Sequence, residues 1–197
     1  MAWVYSLSAE CGSDKNQAEI FAEHFKDLSF ELLTGKTSVC SVNVHSNAES
    51  NWWAAIFPDN ITRSDSSGLT DAIEISEVGF RLYKHLKSAP QFRFALFGCE
   101  VEEFRLHSEL ANDVAVYRDG RIQFNNHSAF DGLVLSLEIW EELGKPVAFF
   151  HFMGNYRWRL YKGKDHSVIS DDEKHGRRLK ELQNELYPKF ALSNKDT

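Results

Sequence analysis

Apolar positions along the chain recur either every second residue or every third to fourth, and the points where the spacing changes divide the chain into elements. The run AWVYSLSA has strand propensity. After it, Ser13 opens a helical pattern that runs to Leu33, with Ala18, Phe21, Phe25, Leu28 and Leu32 on one stripe and Gly35 as its stop. TSVCSVNVH alternates with period two, and WWAAIFP is a second strand-like run that ends at Pro58. Beyond the polar loop DNITRSDSSGLT, Ile75, Val78, Leu82 and Leu86 mark a helix that must end before Pro90, and FRFALFGCE reads as a buried strand. The first half thus predicts βαββαβ, the order of a split-βαβ, ferredoxin-like sandwich.

The second half changes character. VAVYRDGRIQF is two strand runs around Asp119-Gly120, a strong hairpin signal. Ser128 is positioned to cap a helix through Leu143, closed by Gly144 and Pro146 and carrying the apolar stripe Phe130, Leu133, Val134, Leu137 and Trp140. PVAFFHF and YRWRLYK are strands joined by a tight turn at Gly154-Asn155. Alternation in the second of them sends Tyr156, Trp158 and Leu160 one way and Arg157, Arg159 and Tyr161 the other. A last helix follows SDDEKHG, with Ser170 and Glu173 as a capping box and Leu179, Leu182 and Leu186 as a narrow seam.

These elements predict an α+β fold: the ferredoxin-like order extended by a β-hairpin, a helix, a second hairpin and a C-terminal helix, on one mixed or antiparallel sheet with helices packed on it. No linker and no internal repeat separates the halves. Residues 1–190 are expected to form a single domain, with 100–110 the place where it would subdivide, and 191–197 a loose tail.

Composition sharpens this picture in one respect. The chain has 197 residues, 43% of them hydrophobic, with 15 Phe and 5 Trp, ample for a thick core or an adhesive face. The formal net charge of −7 is unevenly spread. Between Glu100 and Glu142 ten acids face three bases, whereas between Arg157 and Lys180 eight bases face four acids. The three cysteines, Cys11, Cys40 and Cys99, show no CxxC and no regular spacing, which predicts free thiols in a reducing compartment. MAWVYSLSAE has no basic stretch ahead of its apolar residues and reads as a strand rather than a signal peptide, and no run is long enough to cross a bilayer. The expected location is the cytoplasm.

Searches for familiar chemistry return little. GxGxxG, GxxxxGKS, GxSxG and HExxH are all missing, so neither a phosphate loop, a nucleophile elbow nor a metal site is predicted. CEVEEFRLHSE, residues 99–109, could supply a thiol, a base and carboxylates, but carboxylates around Cys99 would raise its pKa and make it inert. The adjacent Trp52 and Trp53 would point to opposite sides of a strand, offering one ring as an interface anchor. The aromatic and basic stretch HFMGNYRWRLYKGK suits single-stranded nucleic acid in composition, yet its alternation puts Trp158 opposite Arg157 and Arg159.

The function expected from these features is a non-catalytic interaction protein, for example of the immunity or inhibitor type, whose acidic segment 100–142 docks on a basic protein partner. Charge complementarity speeds such docking and aromatic anchors hold it. The expected partner-binding residues are Glu100, Glu102, Glu103, Glu109, Trp52 and Trp53, while Arg157, Arg159, Arg177 and Arg178 form a candidate anion-binding row. Neither catalytic residues nor a metal or cofactor is expected, nor binding to nucleic acid or membrane; self-association stays open. The alternative is a small enzyme or ligand-binding protein with an aromatic-lined pocket, in which His107, His127 or His151 meets a carboxylate.

Overall fold

The computed structural model describes residues 4–61, 69–101, 106–110, 130–146, 149–163 and 173–187. In chain order the elements are β1 (Tyr5–Glu10), α1 (Lys15–Phe25), β2 (Ser29–Glu31), β3 (Thr37–Ser46), β4 (Trp52–Pro58), α2 (Leu69–Leu86), β5 (Phe94–Cys99), β6 (Val134–Ser136), α3 (Leu137–Glu142), β7 (Phe150–Met153), β8 (Tyr156–Trp158) and α4 (Glu173–Leu186). The strands form one antiparallel sheet in the order β2-β3-β4-β1-β5-β6-β8-β7, so the fold is α+β with strands of both halves in one sheet.

β1 explains why the sheet is covered on both faces. Its alternation sends Tyr5, Leu7 and Ala9 to one side and Ser6, Ser8 and Glu10 to the other, and all six are buried. On the first side, Leu7 pairs with Ile56 and Phe97, and the layer above is built from α1, α2 and α4. α1 contributes Ala18, Phe21, Ala22 and Phe25, and α4 the seam Leu179, Leu182 and Leu186. On the second side, Trp53, Phe94, Leu96 and Leu135 are covered by Val101, Leu110, Phe130, Leu133, Ile139 and Leu143. Gly79 of α2 is a close-approach site: a β-carbon there would lie 2.6 Å from the Tyr161 ring.

Three expectations change. The first helix does not run to Leu33. Asp14 caps it by accepting from the Asn16 N–H at 2.9 Å, it ends at Phe25, and Asp27 turns left-handed (φ 57°). Leu28 and Leu32 keep the helical spacing by coincidence, because Ser29–Glu31 forms a ladder with Thr37–Val39. Gly35 (φ 83°) therefore closes a hairpin, its N–H donating to the Leu32 carbonyl at 2.8 Å, rather than stopping a helix. The first half is accordingly βαβββαβ, with β2 the added strand.

The helix expected over 128–143 is shorter. Val134–Ser136 is strand β6, paired with both β5 and β8, and the helix begins at Leu137 with the Ser136 hydroxyl accepting from the Ile139 N–H. Gly132, at φ 96°, breaks any helix before it. Phe130, Leu133 and Val134 are buried as the apolar stripe required, although from a turn and a strand.

Tyr161 does not share the outer side with the arginines. β8 ends at Trp158, so its alternation lapses and Tyr161 turns inward, 6% exposed, with Phe80 and Tyr83 each 5.2 Å away between ring centroids. The hairpin around Asp119-Gly120, Ser128, the Ser170 half of the capping box and the tail 191–197 lie outside the described residues. Among the described residues, no helix is long and apolar enough to cross a membrane.

Candidate functional site

A cleft of about 610 Å³ opens where the end of β1, the start of β5, α3 and the β7–β8 turn meet. Cys11 and Gln17 form one side of it, Gln91, Phe92 and Arg93 its back. Ser136, Leu137, Glu138 and Glu141 come from α3 and its cap, and Asn155 and Tyr156 from the turn.

Backbone pairing fixes this assembly. The Arg93 N–H donates to the Glu10 carbonyl and the Ser136 N–H to the Arg93 carbonyl, both at 2.7 Å. The Leu137 N–H donates to Asn155 at 2.6 Å. Tyr156 supplies the closing latch, its ring stacked on Phe92 with centroids 4.3 Å apart. Its hydroxyl accepts from the Phe92 N–H at 3.0 Å and donates to the Phe92 carbonyl at 2.9 Å. The two segments that form the back and one lip of the cleft are thereby held at a fixed separation.

Beneath Arg93 lies a buried acid. Glu10 is 0% exposed; one of its oxygens accepts from the Gly12 N–H at 3.0 Å and from the Arg93 guanidinium at 3.2 Å. The other oxygen has no partner among the described residues. Burial raises its pKa, against the opposing pull of Arg93, the Gly12 N–H and His107. Arg93 itself is about one-third exposed (31%), so it spans from the buried carboxylate to the cleft. Gly12, at φ 85°, is the turn that brings its own N–H back onto Glu10.

The cleft holds two carboxylates from the acidic segment. Glu141 is paired with Lys145 at 3.0 Å, whereas exposed Glu138 has no ion-pair partner among the described residues. Cys11 is the thiol on the wall, and burial followed by the nearby Glu10 charge drives its pKa well up, so it offers no thiolate. Among the described residues no group of three or more His, Cys, Asp or Glu is arranged to hold a metal ion.

The residues singled out from sequence are dispersed. Trp53 is buried at 1%, its ring 5.4 Å from Phe94 on the covered second side, and does not reach the surface. Trp52 is half-buried, with the Lys15 ammonium 5.5 Å over its ring. Glu100 is exposed at φ 52°, and Glu109 is exposed with its carboxylate accepting from the Leu106 N–H at 3.0 Å. Glu102 and Glu103 lie outside the described residues, as does His127.

His107 meets Glu142 at 3.2 Å, and Glu49 accepts from the backbone N–H groups of His107 and Ser108. This pair is not part of the cleft lining. His151 is exposed on β7. Cys99 is half-buried at the end of β5.

The four arginines do not form one row, and three of them have separate partners. Arg157 lies 5.4 Å over the Trp140 ring, Arg159 pairs with Asp131 at 2.9 Å, and Arg178 pairs with Glu181 at 2.7 Å on α4, where Arg177 is exposed.

Comparison with family models, curated proteins and solved structures returned no match.

Sequence reasoning passed over Glu10, Arg93, Gln17, Gln91 and Asn155. One signal was present: an acid, Glu10, ends a strand whose other residues are apolar or small, and an acid in a strand covered on both sides needs a cation.

Proposed function

We propose that this chain is a non-catalytic interaction protein that docks on a basic protein partner through its acidic segment 100–142, in the manner of an immunity or inhibitor-type protein. The observation that carries the reading is the presence of Glu138 and Glu141, two acids of that segment, on the wall of a preformed cleft. A cationic side chain entering there would meet both carboxylates at once, and this charge complementarity would speed association and set the orientation of docking. The raised pKa and burial of Cys11 argue against nucleophilic chemistry at the same place. We read the first half as a split-βαβ unit of the ferredoxin-like kind, a reading supported by the adjacency β3-β4-β1-β5 within the sheet.

The test is fluorescence anisotropy with a labelled hexapeptide of alternating Lys and Arg, run on the natural chain and on Glu138→Gln/Glu141→Gln at two ionic strengths. The expected result is binding that weakens with salt and drops at least tenfold in the double variant. Equal affinity in the two proteins would overturn the assignment to the cleft.

A second reading rests on the 3.2 Å contact of His107 with Glu142, which meets the geometric requirement for a histidine oriented by a carboxylate. It requires a ligand whose affinity falls in His107→Ala while peptide binding at the cleft is unchanged.

A further inference from the structure

The chemistry of the cleft discriminates between the two cations that a basic protein can present. An ammonium is a compact, strongly hydrated point charge, whereas a guanidinium is flat, less tightly hydrated, carries five N–H donors in one plane and stacks on aromatic faces. The cleft has the features suited to the flat ion. Glu138 supplies a carboxylate without an ion-pair partner among the described residues. Carboxamides of Gln17, Gln91 and Asn155 supply further acceptors around it. Phe92 and Tyr156, buried and stacked on each other, form the apolar back of the same wall.

Arg93 brings a like charge into the cleft. Its counter-ion is Glu10, held 3.2 Å away and 0% exposed. With Glu10 ionised, the Arg93–Glu10 pair is neutral as a unit and the charge left to an incoming group is that of Glu138. Glu10 thus acts as a positioning residue that also removes the electrostatic penalty of Arg93, without itself lining the cleft.

We infer that the cleft is a receptor for an arginine side chain of the partner, with the guanidinium against Glu138 and its planar N–H donors shared among the carboxamide oxygens of Gln17, Gln91 and Asn155. This rests on the docking reading above and names the residue type the partner must offer.

The experiment compares labelled hexa-arginine with labelled hexa-lysine, of equal charge, on the natural chain, on Glu138→Gln and on Glu10→Gln, with circular dichroism confirming that each variant is folded. The inference expects arginine to bind at least fivefold tighter than lysine, the preference to vanish in Glu138→Gln, and Glu10→Gln to weaken arginine binding severalfold although no ligand contact is removed. Equal affinity for the two peptides, both lost in Glu138→Gln, would overturn the guanidinium assignment and leave the docking reading standing. An arginine preference that persists unchanged in Glu138→Gln would overturn the cleft as its source. Absence of binding by both peptides at low salt would overturn both.

Discussion

The hydroxyl of Tyr156 holds both backbone polar groups of Phe92, accepting from its N–H at 3.0 Å and donating to its carbonyl at 2.9 Å, while the two rings stack at 4.3 Å. One side chain of the β7–β8 hairpin therefore does the work of two backbone partners for the segment that leads into β5. Neither polar group of Phe92 would meet water if that hydroxyl were removed, because both residues are buried.

Tyr156→Phe leaves a buried donor and a buried acceptor unmade, and the expected loss is about 1–3 kcal/mol. It is read as a lower denaturant midpoint with an unchanged slope. The same variant should bind basic peptide more weakly, because the lip of the cleft is no longer tied to its back. A midpoint equal to that of the natural chain would show that the latch contributes nothing.

Glu10 makes stability depend on pH in a direction opposite to that of a salt-bridged surface acid. Its folded pKa is raised above the ordinary 4.5, first by burial, so the folded state holds this proton more tightly than the unfolded chain. The advantage is present at low pH and is lost as pH climbs from 4.5 through the raised value. Glu10→Gln does not titrate, so its stability relative to the natural chain should rise across that window and then level off. Melting temperatures of the two proteins across the acid to neutral range check this, and a difference that stays flat contradicts it.

His24 and His85, from α1 and α2, stack with centroids 4.3 Å apart, and the His85 ring contacts the His24 carbonyl at 3.0 Å. Burial, followed by the His85 charge, lowers the pKa of His24 below the ordinary 6.5. The unfolded chain then takes up this proton first. Stability is lost as pH falls from 6.5 toward the lowered value, and His24→Gln should flatten that part of the profile.

The three thiols should separate cleanly with an aromatic disulfide reagent. Cys40 is buried and pushed up to about 12 by burial and Asp59, Cys11 is raised further, and Cys99 is half-buried at a strand end. Cys99, the least buried of the three, should react first under native conditions, though slowly beside the carboxylates that follow it, and is identified by loss of that phase in Cys99→Ser, with the remaining two released only on unfolding. Fast reaction of two thiols would contradict the burial of Cys11 and Cys40.

Much of the fold could be read from periodicity, since β3, β4, α2, β5 and the β7–β8 hairpin fall where alternation and turn residues indicated. The misreadings have physical causes. Leu28 and Leu32 satisfied a helical spacing while their backbone was claimed by a partner strand, which no local pattern reveals. Val134 and Leu135 suited a helix or a strand equally, and Gly132 with its positive φ decided between them. Tyr161 followed an alternation that ended three residues earlier, at Trp158.

The cleft was less legible than the fold because its residues are far apart in sequence. Cys11, Gln17, Arg93, Glu138 and Asn155 come together only through the order of strands in the sheet. Glu138 was visible as one acid of a rich segment, but only its place opposite Gln17 and Phe92 in the same cleft distinguishes it from a solvated charge.

The most direct measurement is a two-dimensional amide NMR titration of the isotope-labelled chain with hexa-arginine at low salt. The docking account expects shifts that saturate and concentrate on Gln17, Arg93, Glu138, Leu137 and Asn155, and that disappear in Glu138→Gln. Shifts confined to α4 or to the β7 edge, with those five amides unmoved, would contradict it.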